Sequence, residues 1–166
     1  MQFKLRPFVE SDKDSLVKYA NNPKIAAQLT NAFPNPYTLE HARKFIEIAM
    51  SHQTIRIKTI EINEEAAGGI GIHLQTDIYC KNAELGYWLA EPYWGQGIIT
   101  EAIKEMVDYG FANLEITRIY ARPFSTNLAS QRVLEKAGFK KEATLKNAFF
   151  KNGEYLDELI YSISIV

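Results

Sequence analysis

Tyr87-Trp88-Leu89-Ala90-Glu91-Pro92-Tyr93-Trp94-Gly95-Gln96-Gly97-Ile98-Ile99-Thr100-Glu101-Ala102 is the stretch from which the rest of the chain can be read. An apolar, strand-like run stops at Glu91-Pro92, two glycines form a turn, and a helical pattern follows. Glycines at such a junction let the main chain come close to a ligand. A helix start adds free N–H groups at the positive end of its dipole. The stretch therefore predicts a phosphate-bearing ligand held more by backbone than by side chains. A ligand-free tight turn would use the same two glycines. Two familiar phosphate loops do not fit. A Walker A loop needs a Gly-Lys-Ser/Thr ending, and this segment has no lysine. A dinucleotide fingerprint needs a small third residue for helix–strand packing, where this chain has Thr100.

Outward from the turn, residues 83–89 read as a strand. The helix runs to about Asn113, with Ala102, Met106, Tyr109, Phe111 and Ala112 as its buried stripe, and residues 116–121 form a strand. The crossover rule makes this strand–helix–strand unit parallel. Upstream, residues 54–62 are too rich in isoleucine for a comfortable helix and pair with 66–74 across the turn Asn63-Glu64-Glu65. Gly68-Gly69 marks a bulge or a tight contact. Nearer the start, residues 3–6 form a short strand stopped by Pro7. Ser11, with Asp14 after it, caps a helix to about Asn21, and Asn22-Pro23 breaks it. The prolines in Phe33-Pro34-Asn35-Pro36-Tyr37 enforce an irregular segment. Thr38 caps a helix whose Ala42, Phe45, Ile46 and Ala49 share a face. Downstream, Asn127 opens a helix ended by Gly138, and residues 139–145 and 156–165 are closing strands. The expected class is α/β (mixed α+β), a mixed sheet with helices on both faces.

The 166 residues fit one domain, residues 1–166, with a sizeable core. A net charge of -1 gives no global basic field, so no nucleic-acid partner is expected. No apolar run is long enough to cross a membrane, and Met1-Gln2-Phe3-Lys4-Leu5-Arg6-Pro7 is neither a signal nor a transit peptide. Cys80 is the single cysteine, which excludes an intrachain disulfide and agrees with a cytoplasmic setting. His41, His52 and His73 lack metal-ligand spacing, so no metal is expected and they read as surface or strand residues.

Support for the turn comes from Asn127-Leu128-Ala129-Ser130 and Lys136-Ala137-Gly138-Phe139. Together with residues 93–102, the opening Leu5-Arg6-Pro7-Phe8, the Phe33–Thr38 loop and the closing Gly153-Glu154-Tyr155-Leu156-Asp157, the chain resembles the GNAT superfamily of N-acetyltransferases. More narrowly it is similar to the branch typified by the RimJ and RimL ribosomal-protein acetyltransferases. The superfamily pattern has Gln or Arg where this chain has Pro92; the branch often lacks that residue. The resemblance implies the GNAT fold, a mostly antiparallel sheet of about seven strands splayed at the cofactor site, with acetyl-CoA as co-substrate. It implies that Trp94, Gly95, Gln96, Gly97, Ile98 and Ile99 offer backbone N–H groups to the pyrophosphate, with the Thr100 hydroxyl beside them. It implies that Tyr87, Trp88 and Leu89 hydrogen-bond the pantetheine arm, that Asn127 contacts it, and that Ser130 lies near the thiol sulfur. Trp94 could equally be a packing anchor, and Arg132 and Lys136 either meet the 3′-phosphate or are solvated.

Transfer to an amine needs the amine neutral. At pH 7 an α-amine of pKa about 7.8 is roughly 14% neutral, a cost near 1 kcal/mol, and a lysine-like amine of pKa about 10.4 costs near 4.6 kcal/mol. Glu84, at the head of the strand that reaches the cofactor, is the candidate base; the alternative is an exposed strand-end glutamate. Parity puts Glu84, Gly86 and Trp88 on one face of the strand and Leu85, Tyr87 and Leu89 on the other. If the first face carries the acceptor, Trp88 shapes its pocket; if not, Glu84 is out. The departing thiolate needs a proton or hydrogen bond. Many GNAT enzymes supply a tyrosine from the helix after the asparagine, but this helix has none, so Ser130 is the available donor. Its other reading is a first-turn serine bonded to the Asn127 carbonyl. Phe33, Tyr37, Trp88 and Asp157 are the candidate acceptor-binding residues, Asp157 alternatively tying down the closing strand. The acceptor is a small molecule or a protein N-terminus, attacked directly in a ternary complex of a monomer or homodimer. The rival class is an inert acyl-CoA-binding sensor or interaction module on the same fold.

Overall fold

The computed structural model describes residues 2–51 and 55–166. Met1, His52 and Thr54, which entered the sequence reading, lie outside them. Seven strands, β1 (Lys4–Arg6), β2 (Ile55–Ile62), β3 (Glu65–Leu74), β4 (Asn82–Leu89), β5 (Arg118–Ala121), β6 (Lys140–Lys151) and β7 (Glu154–Ser164), form one sheet in the order β1-β2-β3-β4-β5-β7-β6. Every neighbouring pair is antiparallel except β4–β5, as the crossover through the intervening helix requires. The helices are α1 (Lys13–Ala20), α2 (Pro23–Ala26), α3 (Leu39–Ser51), α4 (Ile98–Asn113) and α5 (Leu128–Lys136).

Alternation along the strands sorts the apolar residues into two layers. Ile60, Ile70, Ile72, Leu85, Leu89 and Ile119 meet Ile103 and Met106 of α4 and Leu134 of α5 on one side. Phe8, Leu16, Ala20, Tyr37, Ala42 and Ile46 bring α1 and α3 onto the other side. Trp88 packs with the second layer and Tyr87 with the first. The predicted parity of β4 therefore becomes a division between a helix α4/α5 face and an α1/α3 face.

Several local expectations shift, each for an identifiable reason. Ser11 makes no cap; residues 10–12 form a 3-10 turn, and Asp12 accepts from Val9 N while pairing with Arg6 Nη1 and Nη2 at 2.8 Å. Asp12 directly precedes α1, but its carboxylate is used by Arg6 and Val9 and makes no cap bond to that helix. In α4 the buried face is Ile98, Ala102, Ile103, Met106, Val107 and Gly110, whereas Ala112 is exposed. A Cβ on Gly110 would stand 2.8 Å from Ile72 Cδ1, so this glycine sets how closely the helix approaches the sheet. Strand pairing of β5 begins at Arg118, not 116. Strands β6 and β7 run past their predicted ends because the interruption at Asn147, φ +52°, is an irregularity between Leu145 and Phe149 and not a stop. Gly68 and Gly69 are the tight contact. A Cβ on Gly68 would be 2.6 Å from Trp88 O, and one on Gly69 would be 2.8 Å from Trp88 Nε1. The register shift lies beside them, between Ile60 and Glu61.

Candidate active site

Parallel pairing of β4 with β5 joins Asn82, Ala83 and Glu84 to Arg118, Ile119 and Tyr120, and then stops. Strand β4 continues to Leu89 while β5 turns into β7's company, with Ala121 opposite Tyr161. The main chain of residues 85–88 therefore has a free edge facing the gap. It leads to the glycine turn, where Gly95 and Gly97 have φ of +73° and +78°. Each value suits glycine, and a Cβ built on either would meet nothing within 4 Å. Gly97 is the N-cap of α4 and offers no side-chain cap, so the first N–H groups of a sixteen-residue helix remain open. A groove of about 460 Å³ lies against this start, lined by Gln96, Gly97, Ile98 and Thr100 together with Lys136 and Lys104, the latter paired with Glu101 of the same lining at 2.8 Å. Open N–H groups, a dipole end and two ammonium groups suit a pyrophosphate, which is the test that a CoA site should pass.

The turn is held by its flanks. Trp94 Nε1 donates to Leu89 O at 2.7 Å and Gln96 Nε2 to Pro92 O at 3.0 Å, so the side chains of both brace the loop. Glu91 receives Asn22 Nδ2 at 2.8 Å and the Lys24 ammonium, which ties the loop to α2.

Across the gap, Asn127 caps α5 by accepting from Ser130 N at 3.1 Å, which leaves its amide NH2 for another acceptor. The Ser130 hydroxyl does not turn back to the Asn127 carbonyl; it lies 2.6 Å from Tyr87 Oη. Burial pushes the Tyr87 phenol up to about 12, with Ser130 acting weakly the other way, so the phenol is protonated at neutral pH. α5 has no tyrosine of its own, and the phenol beside its Ser130 comes from β4, 43 residues away in sequence. Only the fold makes that pairing visible.

The α1/α3 face of β4 carries the other candidates. Phe33 stands 5.9 Å from Trp88 and 5.3 Å from Tyr37, measured between ring centroids. Tyr37 is 5% exposed, its N–H donates to Asn21 Oδ1 at 3.0 Å, and it supports Phe33 from the core; it does not line an opening. Phe33 borders a 390 Å³ groove with Ala26, Asn31, Asn35, Lys151 and Asn152, between the 33–37 loop and the β6–β7 turn. Asp157 is engaged inside that hairpin, receiving Lys146 Nζ at 2.7 Å and Asn147 N at 2.9 Å. Glu84 has a 35% exposed side chain and lies 3.4 Å from Arg122 Nε, which also meets Glu158 at 3.1 Å. Opposite Glu84 on β3 stands His73, which the sequence reading set aside. Gly86, mid-strand and exposed, forms the floor between them and Trp88. Among the described residues no cluster of His, Cys, Asp or Glu is suited to a metal, Cys80 is exposed, and no helix is long and apolar enough to cross a membrane.

Comparison with known proteins agrees with this geometry. Residues 2–140 match the acetyltransferase (GNAT) domain family. The uncharacterized N-acetyltransferase YoaA of Bacillus subtilis (strain 168) is 39% identical over 100 residues, 60% of this chain and 56% of that protein. The spermidine N(1)-acetyltransferase of Escherichia coli (strain K12) is 28% identical over 92% of this chain and 80% of its own. Among solved structures, RimL, a ribosomal L7/L12 α-N-protein acetyltransferase in complex with coenzyme A, superposes with a TM-score of 0.88 at 25% identity. That match covers 99% of this chain and 95% of RimL.

Proposed function

Because the chain belongs to the acetyltransferase (GNAT) family, we propose that it transfers an acetyl group from acetyl-CoA to a primary amine by direct attack. The carrying observation is the β4–β5 ladder that ends at Glu84, leaving a main-chain edge that runs to the uncapped start of α4. In this reading the N–H groups of residues 97–100 hold the pyrophosphate, with Lys104 and Lys136 within reach of the phosphates. The free edge of residues 85–88 and the Asn127 amide hold the pantetheine arm. An edge N–H of β4 polarises the thioester carbonyl as negative charge grows on its oxygen.

The amine nitrogen approaches from the Trp88 face, forms the N–C bond, and the C–S bond breaks. A proton leaves the amine on that face. Another reaches the sulfur from Ser130, whose own proton is replaced from the Tyr87 phenol at 2.6 Å. A phenol is a stronger acid than an aliphatic hydroxyl, so the pair does what a lone serine does poorly. No acyl-enzyme is needed, because a ternary complex brings donor and amine together directly.

The acceptor class follows from the relatives in outline: spermidine for one and a ribosomal-protein α-amine for another. Both are primary amines. The 390 Å³ groove beside Phe33 is the entry we assign to the acceptor. The test is thiol release from acetyl-CoA over a panel of polyamines, amino acids and N-terminal peptides, alongside calorimetric CoA binding. Turnover on at least one primary amine is expected. Tight CoA binding with no turnover on any amine identifies the inert sensor instead, and absence of CoA binding removes the reading altogether.

A further inference from the structure

We infer that His73 takes the proton from the acceptor amine, with the Glu84 carboxylate stabilising the protonated ring electrostatically. The inference rests on the acetyltransferase reading above. His73 stands opposite Glu84 in the β3–β4 register, and Gly71 stands opposite Gly86 next along. Two facing glycines in the middle of a sheet leave a hollow, and Gly86 is exposed despite its central strand. His73 leans over that hollow. A methyl group built on Gly86 would have His73 Nε2 as its nearest heavy atom, at 3.9 Å, whereas one on buried Gly71 would meet Ile57 Cγ1 at 3.0 Å and the same nitrogen at 3.5 Å, so the open space lies over Gly86. Gly86 directly precedes Tyr87, where the β4 edge is open, so the ring borders the place where amine and thioester must meet.

Glu84 shares the same face but is already partnered by Arg122 at 3.4 Å. Among the described residues neither ring nitrogen of His73 makes a hydrogen bond; Glu84 is the charged group that acts on it. Beyond Glu84 stand Tyr120 of β5, Arg122 just after β5 and Glu158 of β7. From β2, Ile57 stands against Gly71; the apolar α3 residues in this layer are Ala42, Phe45, Ile46 and Ala49, and its titratable groups are Tyr37 and, 5.9 Å from that ring, His41. Burial pulls the His73 pKa below its ordinary 6.5 against the opposing pull of Glu84, so the ring is neutral at pH 7 and can accept a proton. A free carboxylate of pKa about 4.3 is a poorer match for that task. The amine N–H proton passes to Nε2, the N–C bond forms, the C–S bond breaks, and the thiolate is protonated through Ser130 and Tyr87. Release of the ring proton to solvent resets His73, and uptake of a proton from solvent by the Tyr87 phenolate, whose pKa burial holds high, closes the balance.

The test is the pH dependence of kcat for the wild type and His73→Gln, with spermidine and a peptide bearing an N-terminal serine as acceptors. Wild-type kcat should fall toward acid with a midpoint below 6.5 as His73 is protonated. His73→Gln should lose roughly 100-fold or more in kcat, lose that acid limb, keep wild-type CoA affinity, and regain part of its rate with added imidazole. Gly86→Ala, whose methyl group fits but occupies the hollow, should raise the acceptor KM with CoA affinity unchanged. A His73→Gln enzyme with wild-type kcat, or with the acid limb intact, overturns the inference alone. No turnover by the wild type on any primary amine overturns the functional reading, and this inference with it. Should His73→Gln fail to fold, NMR titration of the wild-type ring is set against the wild-type pH profile, and a His73 ring whose pKa departs from the midpoint of the acid limb of kcat/KM overturns the assignment.

Discussion

Replacing Gly97 by alanine asks a backbone at φ +78° to carry a Cβ. That conformation costs an L-residue about 1–2 kcal/mol, and no packing clash adds to it, because nothing lies within 4 Å of the new methyl group. For a chain of this size each kcal/mol lowers the midpoint of thermal unfolding by about 2–4 °C. Gly153→Ala is the matched control. Its φ is +81°, its surroundings are equally open, and it lies in the β6–β7 turn, away from the start of α4. Both variants should therefore lose similar stability. Only Gly97→Ala puts a methyl group where a phosphate must approach the helix N–H groups. Loss of one charge-assisted hydrogen bond there is worth about 1.5–3 kcal/mol, which is roughly 10- to 150-fold in CoA affinity. The measurements are thermal unfolding and calorimetric titration with CoA. If Gly97→Ala binds CoA like the wild type, or Gly153→Ala weakens binding as much, the turn does not hold the phosphates.

Tyr87→Phe leaves the Ser130 hydroxyl in place without its 2.6 Å partner; single-turnover kinetics should show kcat reduced roughly 100-fold with CoA affinity retained, and an unchanged kcat would remove the phenol from proton delivery. Burial works to raise the Asp12 pKa, but the hydrogen bonds from Arg6 and Val9 outweigh it and hold the value below the usual carboxylate range. A lowered folded pKa means the stabilisation is in full force above the unfolded value of about 3.9 and is lost as pH falls through the folded one. Asp12→Asn should cost about 2–3 kcal/mol at neutral pH and flatten that acid-side decline; urea unfolding at a series of pH values checks both. Gly110→Ala forces Ile72 Cδ1, 2.8 Å from the added Cβ, to move; about 1–3 kcal/mol of stability should be lost, and a variant as stable as the wild type would show that α4 can shift freely.

What could be read from the sequence was whatever a local pattern encodes. The Gly95 and Gly97 turn, the parallel crossover around it, the irregular 33–37 loop and the Asn127 cap each follow from chemistry within a few residues. What stayed hidden depends on partners outside the local pattern. Ser11 caps nothing at the first helix, and neighbouring Asp12 is held by Arg6 and Val9 instead of capping α1. Gly110 looked like a weak point in a helix until Ile72 and Ile119 stood against it. Asp157 had two readings, and its bonds to Lys146 and Asn147 could not be read from the sequence. The acceptor face was half legible: strand parity placed Glu84 with Trp88, but strand register was needed to bring His73 opposite Glu84. The Tyr87–Ser130 contact joins two residues already singled out, each for a different reason, and only the spacing of β4 against α5 makes them one unit.

The most direct test of the central claim is paired quantification of both products. The wild-type protein would be incubated with acetyl-CoA and each primary amine, free thiol titrated, and acetylated amine measured by mass spectrometry. The account predicts equal amounts of CoA thiol and N-acetylated amine on at least one acceptor, both falling together in Tyr87→Phe. Thiol release without acetylated amine, or no release on any amine while CoA binds, would contradict it.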